Sequence, residues 1–286
     1  MSLSILLTAR SRPELLRWTV ETTVPNIQEP DTRLVIAADD DDTTETIIAA
    51  QKLSQKYECV ERSILPREET LGAKVNRVLT IAPADVYLHM VDYRPHLTPG
   101  FDTKIIEAAN LFPDGIGVVY SHMANLSFPE INAVTAGLVK HMGYFYPPYF
   151  PYWFVDHWLD DIARLIGRIA VADVQTDGSR RPGTMDRRDV AWWATFYDAA
   201  VIHRRKMAHA IINSDEFQEP EWRKRLLLSH HPLIEERSKM INDSARTTRW
   251  HLPPENPDDR YRRAKSAAQA ALREWLPDLE KEMNAA

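Results

Sequence analysis

The chain has 286 residues, 44% of them apolar, and a formal net charge of −6. That length suits one large domain or two ordinary ones, and the acidic balance weighs against broad nucleic-acid binding, which needs a positive surface. The single cysteine, Cys59, excludes an internal disulfide and a cysteine-built metal site. No run reaches the roughly 18–20 apolar residues of a membrane helix. The opening MSLSILLTARSRP reads as a first core strand rather than a secretion leader, so a cytoplasmic protein is expected.

In chain order, SILLT (4–8) predicts a buried strand, followed by a helix opening at Pro13, a residue suited to a first helical turn. Leu15, Leu16, Thr19 and Val20 give that helix its inward face. RLVIAA (33–38) predicts a second buried strand running into Asp39 to Asp42. Asp42 and Glu45 have the spacing of a capping box for the next helix, with Ile47, Ile48 and Leu53 inward. Strands follow over 59–64, 86–91 and 117–120, with helices over 72–82 and 101–111 between them. This alternation predicts a mostly parallel sheet with helices on both faces.

From Leu126 to Trp158 the chain is rich in aromatics and prolines, as in YFYPPYFPYWF. A helix is predicted from about Asp156 to Ile169, a polar loop over 172–189, and helices over 191–210, 217–241 and 258–284. The last places Tyr261, Ala264, Ala268, Ala271 and Leu272 on one stripe, which reads as packing, with a homo-oligomer contact as the sharper alternative. The basic groups Arg180-Arg181, Arg187-Arg188, Arg204-Arg205-Lys206 and Arg223 to Arg225 read as solvated faces.

In an open parallel sheet, ligands bind beyond the carboxyl ends of the strands. Three such ends are polar here: Thr8 to Arg12, Asp39 to Asp42, and Asp92 to Arg94. Neither a glycine-rich dinucleotide loop nor a P-loop follows the first strand.

The order of motifs resembles a glycosyltransferase of the GT-A fold, in the style of the inverting family-two group and its phage and bacterial relatives. SILLTARSRPELL resembles the first strand and nucleotide loop; LVIAADDDDTTE resembles the second strand with its base-reading acidic end. LGAKVNRVLTIAPADVYLHMVDY resembles the helix and strand leading to the family's aspartates, and LTPGFD follows as expected. HMGYFYPPYFPYWFVDHWLDDIARL resembles the acceptor-side segment with its catalytic acid. The resemblance covers about residues 3–170. It implies a Rossmann-like GT-A domain over 1–170, with a nucleotide-sugar half over about 1–120 and an acceptor side over 121–170. A mainly helical extension over 171–286 would pack on it.

By that resemblance Thr8, Arg10, Arg12, Asp39, Lys74, Asn76, Asp92 and Arg94 bind a nucleoside-diphosphate sugar such as a UDP-sugar. Asp156 is then the base of an inverting transfer to a carbohydrate or other hydroxyl acceptor, with a nucleic-acid acceptor left open. The family holds Mn²⁺ or Mg²⁺ with an Asp-x-Asp pair, but the sequence has Asp92-Tyr93-Arg94. Either Asp92 anchors the metal with help from elsewhere (His157 or His203), or Arg94 and neighbouring cations replace it. The aromatic stretch before Asp156 is expected to desolvate it and raise its pKa; as a structural alternative it caps a helix. Asp160 and Asp161, a turn further in, would favour the helix N-terminus electrostatically. His89 reads as a sheet-face histidine. His122 and His141 are ambiguous, and Trp153, Trp158, Trp192 and Trp193 serve either sugar stacking or, more simply, core packing. The rivals are a nucleotidyltransferase on a similar fold and a non-catalytic nucleotide-sugar-binding module.

Overall fold

Three strands are buried along almost their whole length: β1 (Leu3–Thr8), β2 (Thr32–Asp39) and β4 (Val86–Val91). Strands covered on both faces need apolar side chains at nearly every position, hence the continuous LSILLT and VYLHMV runs. The computed structural model describes residues 1–121, 132–180, 189–247 and 258–283. His122, Arg181, Arg187 and Arg188 lie outside them.

With β3 (Val60–Leu65), β5 (Val118–Ser121), β6 (Asn132–Thr135) and β7 (Ile169–Ala172), these strands form one seven-stranded sheet of order β3-β2-β1-β4-β6-β5-β7. β1 pairs in parallel with β2 and β4, and β5 with β7. β6 runs antiparallel between β4 and β5. β3, at the sheet edge, has only Val60 buried, its other positions being partly or fully exposed.

Helices α1 (Pro13–Thr23), α2 (Thr44–Lys56), α3 (Leu71–Leu79), α4 (Phe101–Ala109) and α5 (Ala136–Met142) connect these strands. Proline opens α1 as expected, and Leu16, Thr19 and Val20 are buried. Two details of α2 differ from expectation. Its N-cap is Thr43, whose hydroxyl accepts from the Thr46 N–H, so Asp42 and Glu45 form no capping box. The inward face carries Thr46, Ala49, Ala50 and Leu53, while Ile48 is 41% exposed.

The chain divides into two units: Met1–Glu68 with Lys74–Phe145 and Arg168–Gly183, and Glu69–Ala73 with Tyr146–Gly167 and Thr184–Ala286. β7 returns to the sheet, and of the segment 121–170 only residues 146–167 group with the helices. The helical unit contains α6 (Val155–Leu165), α7 (Val190–Ala199), α8 (Val201–Ile212), α9 (Glu221–His230), α10 (Leu233–Ala245) and α11 (Asp259–Met283). The helix expected over 191–210 breaks at Ala200, and that over 217–241 breaks at Pro232, since proline lacks the N–H that a continuing helix needs.

Phe150 centres the helical unit's aromatic core, packed against Phe154, Trp158, Trp193 and Phe196. Trp158 and Trp193 are fully buried, which makes them core residues, and the Ala264-Ala268-Ala271 stripe of α11 is buried as packing. Gly72 meets the backbone of Pro147: a Cβ there would lie 2.2 Å from the Pro147 carbonyl oxygen. Among the described residues no helix is long and apolar enough to cross a membrane.

Candidate active site

The parallel register of β1 with β2 and β4 aligns Thr8 with Ala37 and Val91, so the three chain segments leaving these strands emerge together. Asp39 ends β2, and Asp92 directly follows β4. Both are almost fully buried, with side chains 3% and 0% exposed.

Cations from the β1–α1 segment and from α3 meet them. Arg10 reaches Asp39 at 2.9 Å and Asp41 at 2.8 Å. Lys74 lies 3.0 Å from Asp39 and also donates to the Ala9 carbonyl at 3.0 Å. Arg12 lies 2.9 Å from Asp92 Oδ1, and the Arg10 N–H donates to Asp92 Oδ2 at 3.4 Å. Asp42 accepts from the Ser11 N–H at 2.8 Å and from the Ser11 hydroxyl at 3.1 Å. These bonds hold Ser11 at φ 53°, a left-handed conformation that costs a non-glycine residue energy. Arg67 approaches Asp41 at 3.4 Å.

These environments shift the charges. Burial pushes Asp92 up to about 6, and Arg12, the Arg10 N–H and Lys74 only partly offset it. Asp92 Oδ1 faces Arg12 at ion-pair distance yet makes no hydrogen bond. Burial holds Lys74 below the ordinary lysine value despite Asp39 beside it. Arg10 moves the other way: its burial is outweighed by Asp41 and Asp39. The Arg10 hydrogen bond brings the exposed Asp41 down to about 2, with Arg67 adding to the effect.

The other expected residues take varied places. Thr8 Oγ1 bonds His89 Nε2 at 3.1 Å, which with the edge-on Phe145 ring makes His89 a sheet-face histidine. Asn76 Oδ1 accepts from the Phe145 N–H at 2.9 Å, a tie between α3 and the turn after α5. The Arg94 guanidinium lies against Gly178, where a Cβ would come within 2.9 Å of Nη2. That approach belongs to a strap that was not evident in the sequence. After β7 the Asp177 N–H donates to the Pro95 carbonyl at 3.1 Å, and the Leu97 N–H donates to Gln175 at 2.9 Å. Arg180 stacks over Trp18 at 4.3 Å. Asp41, Asp42 and Arg67 are not among the expected donor-binding residues; the run of four aspartates after a buried strand was the available signal.

In the helical unit, Asp156 occupies the first turn of α6, two residues after the N-cap Phe154. It is therefore no N-cap, and its side chain is 34% exposed. Its pKa is also lowered, not raised as expected. Burial does push it up, but the His157 ring at 3.2 Å and the His157 N–H at 3.0 Å outweigh that. Asp160 and Asp161 do not sit free at a helix start. Asp161 pairs with Arg204 at 2.9 Å, with Arg237 and with the Tyr197 hydroxyl, and Asp160 pairs with Arg164 at 2.9 Å and with Arg237. Burial pushes Tyr197 up to about 12 against the pull of Arg204, so it stays a donor. His203 stacks on Trp275 at 4.0 Å, and burial, then Arg204, brings it down to about 4.

The residues around Asp92 do not fit a divalent cation. Such ions take several hard oxygen ligands. Here one carboxylate faces an arginine, and position 94 is another arginine. Among the described residues no group of three or more His, Cys, Asp or Glu is arranged to hold a metal.

No protein-family model matches the chain, and no curated protein matches its sequence. Solved structures do. S. aureus TarS 1–349, solved in complex with UDP-GlcNAc, is 14% identical over 81% of this chain and 72% of that one, at a TM-score of 0.58. The mannosyltransferase PcManGT from Pyrobaculum calidifontis, in complex with GDP-Man and Mn²⁺, is 11% identical over 96% of this chain and 82% of that one, at 0.52. At such identities the likeness is one of fold, and chemistry has to be argued from the site. The architecture expected from the order of motifs is the one observed: this chain has the GT-A fold that those two transferases also carry.

Proposed function

We propose that the protein is a glycosyltransferase that moves a sugar from a nucleoside-diphosphate sugar to an acceptor hydroxyl with inversion. The observation that carries this is the pair of buried carboxylates, Asp39 and Asp92, at the ends of β2 and β4, the two strands that flank β1 in a GT-A sheet, with Arg10 and Lys74 on Asp39 and Arg12 on Asp92. Such a rim suits an anionic donor. TarS and PcManGT, with the same fold, were solved with UDP-GlcNAc and GDP-Man.

In this reading Thr8, Arg10, Arg12, Asp39, Lys74, Asn76 and Arg94 bind the donor, and Asp92 organises the diphosphate side. The acceptor oxygen attacks the anomeric carbon as the bond from that carbon to the diphosphate oxygen breaks. The nucleoside diphosphate departs with the bonding pair, and the acceptor proton passes to Asp156. A base must be ionised to receive it, and Asp156, with its pKa below the ordinary aspartate value, is ionised at neutral pH. His157 fixes the carboxylate's orientation through Nδ1.

The test is release of nucleoside diphosphate from a panel of UDP-, GDP-, dTDP-, CDP- and ADP-sugars, with and without simple sugar acceptors. One donor is expected to turn over, and Asp156→Asn to slow it about 10²- to 10⁴-fold while leaving donor affinity in place. Tight donor binding without turnover overturns the reading in favour of a binding module. Pyrophosphate release from a nucleoside triphosphate and a sugar phosphate overturns it in favour of a nucleotidyltransferase.

A further inference from the structure

We infer that the leaving diphosphate is neutralised by arginines, Arg12 foremost with Arg94 on the Asp92 loop, and that donor binding needs no divalent cation; this rests on the glycosyltransferase reading above. Three observations carry it. First, the carboxylate that would anchor a metal is engaged: Asp92 Oδ1 has Arg12 at 2.9 Å, and Oδ2 accepts from the Arg10 N–H. A dication approaching Asp92 would have to enter beside a guanidinium, and like charges repel most where water is excluded. Second, the position two residues on, where a second carboxylate would help, is Arg94. Third, the Arg94 guanidinium lies against Gly178 of the strap after β7, whose missing side chain leaves room for it.

Guanidinium groups can do the work instead. Arginine stays charged under all relevant conditions and meets phosphate oxygens with a rigid fork of donors. Arg12 is well placed for an exchange of partners. Its side chain is 28% exposed, it lies over Tyr93 at 5.3 Å, and its contact with Asp92 is an ion pair without a hydrogen bond. A diphosphate would offer it better-aligned acceptors than Asp92 does. Asp92 then acts as a positioning residue, which holds Arg12 at the strand end until the donor arrives.

The experiment measures the affinity of the intact protein for UDP, GDP, dTDP, CDP and ADP by calorimetry, in EDTA and again with Mn²⁺, and follows Mn²⁺ alone by electron paramagnetic resonance. At least one diphosphate is expected to bind in EDTA, with affinity changing less than about twofold on adding Mn²⁺. Arg12→Ala should weaken that diphosphate about tenfold or more while leaving the bare nucleoside nearly unaffected. Arg12→Lys, which keeps the charge but not the fork, should recover part of the loss and serves as the folded variant if the alanine form is unstable. A diphosphate affinity that rises about tenfold or more with Mn²⁺, together with Mn²⁺ binding abolished by Asp92→Asn, overturns the inference and leaves the glycosyltransferase reading standing. If no diphosphate binds under either condition, the glycosyltransferase reading falls, and this inference falls with it.

Discussion

Asp92 in the sheet-built unit and Asp161 in the helical unit both have side chains with 0% exposure, and both face arginine. Asp161 has a hydrogen bond on each oxygen, Oδ1 from Arg237 and Oδ2 from the Tyr197 hydroxyl, with Arg204, stacked over Tyr197 at 3.9 Å, added as an ion pair. Asp92 is left short, with one oxygen that makes no hydrogen bond and a pKa raised to about 6. A buried charge kept for structure has its partners in place. One held under-satisfied at a strand end stores a destabilisation that a ligand can relieve, a pattern common at functional sites. Burial alone thus does not separate the two roles; the completeness of the partner shell does.

The largest effect should come from breaking the saturated cluster. Arg204→Met leaves the buried Asp161 with one cation fewer, and such single removals cost about 3–5 kcal/mol. Urea unfolding followed by tryptophan fluorescence would read it, since Trp158 lies 5.0 Å from the Arg204 guanidinium. Replacing both members, Asp161→Leu with Arg204→Met, should cost clearly less than the sum of the two single changes. Additive costs would mean that the pair is not a unit.

Asp92 should respond in the opposite sense. Its pKa rises from 3.8 unfolded to about 6 folded. The folded state therefore binds more protons between those values, and its contribution to stability falls as pH rises through about 6. By neutral pH the penalty approaches about 3 kcal/mol, taking 1.36 kcal/mol per pH unit. Asp92→Asn should remove most of that slope and raise stability at pH 7, even as it impairs diphosphate handling. A variant less stable than the parent at pH 7 would show that Arg12 satisfies Asp92 more fully than the geometry indicates.

His203 sharpens the comparison from the helical side. Held down to about 4 against an ordinary 6.5, it contributes stability above 6.5 that is lost as pH falls toward 4. His203→Phe keeps a ring against Trp275 and should recover about 2 kcal/mol at pH 5, with little change at pH 8. The helical unit should then lose stability in mild acid where the Asp92 contribution gains it. Fluorescence and far-ultraviolet dichroism melts across pH would follow both trends.

The sheet was largely legible because β1, β2 and β4 are long and apolar, and because Asp39 and Asp92 stop them abruptly. β6 and β7 were not. Each has four residues, as does β5, but β5 is an apolar run set off by Gly117, whereas IAVA ran on from a helical pattern. The site was legible as three polar strand ends. Its pairings were not, because ion pairs between distant segments, such as Arg12 with Asp92 or Lys74 with Asp39, leave no trace in local pattern. The lowered pKa of Asp156 has a different source: His157, next to it in the chain, bonds its carboxylate and outweighs the burial, which no local pattern in the sequence reports.

The smallest effect separates the sequence reading from the structure at one residue. A capping role for Asp42 predicts that Asp42→Ala weakens α2 and leaves the site alone. The structure assigns the cap to Thr43, so Thr43→Ala should cost about 1 kcal/mol of stability. Asp42 instead bonds the N–H and hydroxyl of Ser11, and so holds the β1–α1 segment that carries Arg10 and Arg12. Asp42→Ala should therefore release Ser11 from its left-handed conformation, with a modest stability change, and weaken nucleoside-diphosphate affinity several-fold. Asp42 also accepts from the Thr43 N–H at 2.7 Å, so the two substitutions share a contact and should couple rather than add. If Asp42→Ala left affinity unchanged while costing the full value of a cap, the ordering of the β1–α1 segment would have to be sought in Arg10 and its two aspartates alone.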